Sequence, residues 1–266
     1  MPLCRRTLRP GPKPLSPTLG RMSLSTETDV ADAAAAIGDP SRARILLALA
    51  GGGALPASAL AAEAGVANST VSGHLNRLRE ARLVTVELDG RHRYYRLATP
   101  EVAQALEQLA RIARPLPPRT LSADGRARAL LRARLCYDHV AGRLGVALMA
   151  ALCEDGVLTV RTPPGDGGAA DVAYGLTPKG RTVLGGFGVD LAALPRRRAS
   201  VRYCVDWAER RHHLAGPLGG LVTARLFERG WLRRGKYRRV VHLTDTGRAG
   251  LAETFGVAIE RIDAAG

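Results

Sequence analysis

The stretch from Ala59 to Leu97 constrains this 266-residue chain more than any other. LAAEAGVANSTVSGHLNRLREARLV reads as two short helices joined by a tight turn, and TVELDGRHRYYRLA reads as a two-stranded hairpin. Gly65 falls at the turn, where the backbone needs a conformation that a side chain would penalise. Asn68 is the expected N-cap of the second helix, its side-chain oxygen accepting from free N–H groups of the first turn. Val71, Leu75 and Leu78 recur at helical spacing and face a core. Ser69, Thr70, Ser72, Gly73, His74, Asn76 and Arg77 lie toward the other side. Hydroxyl, amide, imidazole and guanidinium groups on the N-terminal half of a helix can meet base edges, and small residues let the backbone approach a groove. In the hairpin, Asp89-Gly90 is a two-residue turn signal. It leaves Arg91, His92 and Arg93 at a basic tip suited to phosphate or minor-groove contact. These elements in this order make a winged helix-turn-helix, which places one helix in the major groove of DNA.

The flanks support this reading. DVADAAAAIG reads as a helix closed by Gly38 at C′. Asp39-Pro40 restarts the chain as N-cap and N1. The next helix puts Ile45, Leu46 and Leu49 on one face, and Pro56 opens a third. After the hairpin, PEVAQALEQLARIAR carries an apolar stripe of Val102, Leu106, Leu109 and Ile112, and Pro115-Leu116-Pro117-Pro118 closes the domain.

IGDPSRARILLALA, the helix-turn-helix run and the wing ending RYYRLA together resemble the SmtB/ArsR family of bacterial winged-helix repressors, over roughly residues 30–113. The resemblance implies a homodimer that binds a palindromic double-stranded DNA operator and leaves it when an inducer binds. It also implies dimer contacts through the first helix and the helix at 101–113. Metal-sensing members carry a Cys-x-Cys pair near the helix before the turn, or Asp/His ligands on the last helix. Here Leu55, Pro56, Ala57 and Ser58 stand at the first place, and Glu101 and Glu107 are the only candidates at the second. Soft or imidazole ligands are absent from both, so no metal is assigned to the family's usual sites.

Composition sets limits. A net charge of +15 favours a polyanionic partner, nucleic acid first. Only Lys13, Lys179 and Lys236 are lysines, and the arginine, alanine and glycine usage also fits a GC-rich genome, so charge alone is weak support. No apolar run reaches the length of a membrane span and no secretory signal is present, so a cytoplasmic protein with no membrane partner is expected. Cys4, Cys136, Cys153 and Cys204 are too few and scattered for a disulfide framework and read as reduced thiols. Residues 1–26 are basic, proline-rich and free of acidic residues, which predicts disorder. A DNA-contacting arm is one reading of this segment, and an upstream start codon with Met22 as the natural beginning is preferred.

Residues 119–266 contain a repeat. His139-Val-Ala-Gly-Arg-Leu-Gly145 matches His213-Leu-Ala-Gly-Pro-Leu-Gly219. Leu176-Thr177 through Arg181 matches Leu243-Thr244 through Arg248, and Phe187-Gly188-Val189 matches Phe255-Gly256-Val257. Each unit reads helix, strand, loop, strand, helix, which suggests two degenerate winged-helix-like units without a clear reader helix. The loop at 162–171 and the basic run at 233–239 are the expected wing tips. A pseudo-twofold pair is expected, with Gly142 and Gly216 permitting close helix approach.

Ahead of each repeat stands Cys-x-Asp: Cys136-Tyr137-Asp138 before His139, and Cys204-Val205-Asp206 separated from His213 by six residues. One reading is a sensor pocket of Cys136, Asp138, His139, Cys204, Asp206, His212 and His213. Cys136 and His139 would share a helical face and, with Cys204 and His212 or His213, bind a soft metal or haem or sense oxidation. The other makes the aspartates helix caps, the cysteines small buried residues and the histidines packing hydrogen-bonders. It is preferred, because neither Cys-x-Asp has a tight ligand spacing of its own. Tyr137, Tyr203, Trp207 and Trp231 leave a small-molecule pocket as a third reading. The cofactor is unknown.

The expected fold is mainly α with small β-hairpin wings (α+β). It comprises a basic segment at 1–26, a winged helix-turn-helix at 27–115 for DNA binding and dimerisation, and repeats at 119–192 and 199–263. The expected function is a sequence-specific DNA-binding transcriptional regulator, a repressor whose binding the repeats modulate through a small-molecule, metal or redox inducer. The alternatives are a redox, metal or haem sensor built on the Cys-x-Asp motifs, or an architectural protein that coats DNA. An enzyme is not expected, since no phosphate loop or zincin motif is present.

Overall fold

The computed structural model describes residues 29–114, 121–161, 172–195 and 201–263. The readings of residues 1–26, of 115–118 and of the 162–171 loop lie outside these.

The N-terminal part runs α1 (Val30–Ile37), α2 (Pro40–Leu49), β1 (Leu55–Pro56), α3 (Ala57–Ala64), α4 (Asn68–Glu80), β2 (Val84–Asp89), β3 (His92–Leu97) and α5 (Pro100–Ile112). Asp39 caps α2 by accepting from the Arg42 N–H, with Pro40 in the first turn. Gly38 closes α1 in right-handed rather than left-handed geometry (φ −67°), because Pro40 starts a new helix at once. The sheet order is β1-β3-β2, so the wing gains a short third strand at Leu55–Pro56 that periodicity did not signal. Ile45, Leu46, Leu49, Leu60, Val71, Leu75, Leu78 and Leu97 make one core. On α5 only part of the expected stripe is covered: Leu106 is buried, but Leu109 is 43% and Ile112 81% exposed.

The C-terminal part opens with α6 (Leu121–Arg132). The first unit follows as β4 (Arg134–Cys136), β5 (His139–Ala141), α7 (Gly142–Glu154), β6 (Leu158–Arg161), β7 (Ala173–Leu176) and α8 (Pro178–Phe187). The second runs β8 (Arg202–Val205), β9 (His212–Ala215), α9 (Gly216–Glu228), β10 (Leu232–Arg234), β11 (Val241–Leu243), α10 (Asp245–Phe255) and the short α11 (Glu260–Asp263). Each unit is therefore hairpin, helix, hairpin, helix. The leading hairpin replaces the first part of the helix expected from sequence, because Gly142 and Gly216, both at positive φ, start the helices three residues late.

Equivalent residues do equivalent work. Thr177 accepts from the Gly180 N–H and caps α8, and Thr244 accepts from the Gly247 N–H and caps α10. Left-handed Gly188 and Gly256 end the same two helices. Phe187 and Phe255 meet edge to face, with ring centroids 5.0 Å apart. The units pack reciprocally, α7 against β9 and α9 against β5, with β5 beside β9. The glycines that permit this approach are Gly145 and Gly219, not Gly142 and Gly216 as the sequence suggested. A Cβ on Gly145 would stand 3.4 Å from the Cβ of His213, and one on Gly219 would stand 3.2 Å from that of His139. Gly142 instead crowds backbone atoms of Leu131, Arg132 and Ala133 at the end of α6, and Gly216 crowds the Arg202 side chain of β8.

Candidate functional site

α4 carries the row of polar residues expected to face DNA. Val71, Leu75 and Leu78 are buried beneath it and fix its rotation. Asn68, Ser69, Thr70, Ser72, Gly73 and Asn76 are exposed on it. Asn68 is not the cap. Left-handed Gly65 (φ 70°) ends α3, the Val66 N–H bonds back to the Ala61 carbonyl, and the N-cap place falls to Ala67 without a side-chain bond. Asn68 then lies one residue inside the helix, which leaves its amide on the exposed surface.

Two of the expected readers are engaged inside the chain. His74 is half-buried, with Nδ1 3.7 Å from Oδ1 of Asp39. Arg77 reaches across to Asp32 on α1 and lies 3.9 Å from Glu80. They brace α4 against α1 and α2 from the rim of the polar face. In the wing Asp89 pairs with His92, so the turn is Gly90-Arg91, one residue later than the signal suggested. Arg91, His92 and Arg93 are exposed there.

The second constellation lies between the repeat units. Cys136 pairs with His139 across β4 and β5, and Cys204 with His213 across β8 and β9. Cys136 and His139 therefore do not share a helical face. Tyr137 takes a positive φ (61°) and turns the chain, so the two become cross-strand neighbours. All four residues are buried, and one sulfur or nitrogen from each lies within 4.8 Å of the other three. The His139 and His213 ring centroids are 5.2 Å apart.

The remaining sensor candidates fall around this cluster. Asp138 Oδ1 is 2.9 Å from His139 Nδ1. His212 points to the opposite face of its strand from His213, as alternation requires, where it stacks on Tyr203 at 4.1 Å and meets the Tyr174 hydroxyl at 2.7 Å. Asp206 is fully buried. It accepts from the N–H groups of Gly142 (2.7 Å), Ala208 (3.0 Å) and Glu209 (3.1 Å) and pairs with Arg134 at 2.9 Å. Burial opposes its charge, while Arg134 and these N–H groups outweigh that and hold its carboxyl below the usual range.

The electrostatics of the cluster are uneven. The neighbouring Cys204 thiol and burial push the Cys136 thiol well up. Burial opposes charge on His139, but the hydrogen bond with Asp138 and the nearby Cys136 sulfur prevail and raise it to about 9. Burial, reinforced by positive charge on His139, pushes His213 down.

A helix-turn-helix domain model matches residues 37–87. The uncharacterized HTH-type transcriptional regulator YdfF of Bacillus subtilis (strain 168) is 37% identical over 232 residues, spanning 87% of this chain and 99% of that protein. The chain belongs to the HTH-type transcriptional regulators. The HTH-type transcriptional regulator CmtR of Mycobacterium tuberculosis (strain ATCC 25618 / H37Rv) is 41% identical over 86 residues, 32% of this regulator and 72% of CmtR. The NMR structure of the cadmium metal-sensor CMTR from M. tuberculosis overlays 34% of this regulator and 94% of that chain, with 36% identity and a TM-score of 0.29. The likeness to YdfF spans the repeated half of the regulator as well as its reader.

Sequence reasoning missed the bond between the regulator's two halves. Glu107, on the inner side of α5, is buried and pairs with Arg134 at 3.2 Å and with Arg239. Arg134 also lies over Trp207, 4.7 Å from the ring centroid. Glu63 on α3 pairs with Arg126 and Arg238, and the Tyr137 N–H bonds to the Ala50 carbonyl at 2.7 Å. A carboxylate on the inward face of an amphipathic helix was the available signal. Its partners lay in distant segments.

Proposed function

We propose that the regulator binds a palindromic double-stranded DNA operator as a homodimer and represses transcription there, acting in the cytoplasm. One observation carries the reading: α4 presents Asn68, Ser69, Thr70, Ser72, Gly73 and Asn76 as one exposed polar face, and the wing that follows exposes Arg91, His92 and Arg93 at its tip. The helix face supplies base contacts, the wing supplies phosphate contacts, and His74 and Arg77 hold the helix at its angle. Val30 on α1 and Leu109 and Ile112 on α5 are large exposed apolar groups on the two helices expected to form the dimer, which supports that contact. The repeat units modulate binding through the buried Glu107 link. Nuclease footprinting of the full chain tests the proposal. Two protected half-sites about one helical turn apart support a dimeric reader, and protection spreading without a boundary supports the architectural alternative.

A further inference from the structure

We propose that Cys136, His139, Cys204 and His213 form a four-ligand site for Zn2+ at the junction of the two repeat units. Each unit supplies one cysteine and one histidine from the same place in its leading hairpin. The four ligand atoms already lie within 4.8 Å of one another. In a tetrahedral site with Zn–S about 2.3 Å and Zn–N about 2.0 Å, ligand atoms stand roughly 3.3–3.8 Å apart, so small rotamer changes complete the shell.

A second observation points independently to a ligand. His139 is 5% exposed and His213 fully buried, yet among the described residues His139 Nε2 and both ring nitrogens of His213 have no hydrogen-bond partner. Orphaned buried nitrogens are costly, and a cation between them removes the cost. Asp138 engages Nδ1 of His139 at 2.9 Å and leaves Nε2 to act as the ligand, the carboxylate–histidine–metal arrangement of many zinc sites. Two thiolates balance the charge of a divalent ion, and two sulfurs with two imidazoles select a borderline-soft, four-coordinate cation. Four protein ligands close the shell, which marks a site that holds structure or senses metal. Cys136 and His139 also line a cleft of about 630 Å³ beside the start of α5, which gives an ion a way in.

The test uses the full chain, stripped with chelator under reducing conditions and titrated with Zn2+ or Co2+ chloride. One equivalent of either metal per chain is expected. The Co2+ form should show the intense visible bands of tetrahedral coordination and thiolate-to-cobalt charge transfer. Cys136→Ser combined with Cys204→Ser should lose that equivalent, whereas Cys153→Ser should keep it. Loss of fold in the double variant leaves the unaltered chain to decide: the pale spectrum of six-coordinate Co2+, without charge transfer, overturns the site. Full stoichiometry in a folded double variant overturns it equally. None of these readouts depends on DNA binding.

Discussion

Nη2 of Arg134 lies 3.2 Å from Oε2 of Glu107, and both side chains are buried. The pair joins α5, part of the reader domain, to β4, the strand that ends in Cys136. Arg134 also holds Asp206, whose carboxylate accepts from the N–H at the start of α7. A continuous set of buried charges therefore runs from the repeat junction to the reader.

Glu107→Gln should destabilise the full chain by about 3 kcal/mol, because it leaves Arg134 and Arg239 without their shared carboxylate. Urea unfolding of both proteins checks this. A loss below about 1 kcal/mol would mean that the link is dispensable.

Arg91→Ala should weaken binding to specific and random duplexes alike. The slope of log K against log salt concentration should become shallower by roughly one, as read from anisotropy titrations at several salt concentrations. An unchanged slope removes Arg91 from the phosphate interface.

Two glycines on helices should respond in opposite ways. Gly219→Ala puts a methyl 2.8 Å from the Leu214 carbonyl oxygen and 3.2 Å from the Cβ of His139, and overpacking of this kind costs about 1–3 kcal/mol. Gly73→Ala meets nothing within 4 Å among the described residues and should raise stability by up to about 1 kcal/mol, since alanine is the better helix former. The same methyl stands on the polar face of α4 and should reduce DNA affinity. Thermal unfolding and binding isotherms on the two variants separate the effects.

Asp263 ties the C-terminal end to Arg248 and Arg132. The hydrogen bond from Arg248, and then the charge of Arg132, hold its carboxyl below the usual range despite slight burial. A depressed carboxyl contributes stability above its unfolded pKa, about 3.9, and loses it as pH falls through the folded value. The stability gap between the wild type and Asp263→Asn should therefore be constant from pH 7 to pH 5 and close below about pH 4. A gap that widens in acid contradicts the pairing.

The reader was legible because its signals are local. Gly65, the Val71–Leu75–Leu78 spacing and the Asp89-Gly90 turn each sit within one element or its immediate neighbour. The displaced details share one cause, a turn that consumed one residue more or fewer than its signal implied, as at Asn68 and at Gly90-Arg91. The junction was not legible in the same way. The repeat was visible, but Cys136 and His139 looked like helix neighbours until the positive φ of Tyr137 was known. The meeting of Cys136 with Cys204 depends on Gly145 and Gly219, which let each unit reach the other's histidine. Leu109 and Ile112 completed an apolar stripe in the sequence, yet they lie exposed within one chain.

The most direct measurement is selection of duplexes by the full chain from a random-sequence DNA pool. A helix that reads bases through Ser69, Thr70, Ser72 and Asn76 should enrich a motif of two related half-sites centred about one helical turn apart. Ser72→Ala should relax that motif at one position in each half. A pool that remains random after repeated rounds, although the protein retains DNA, would contradict base reading by α4.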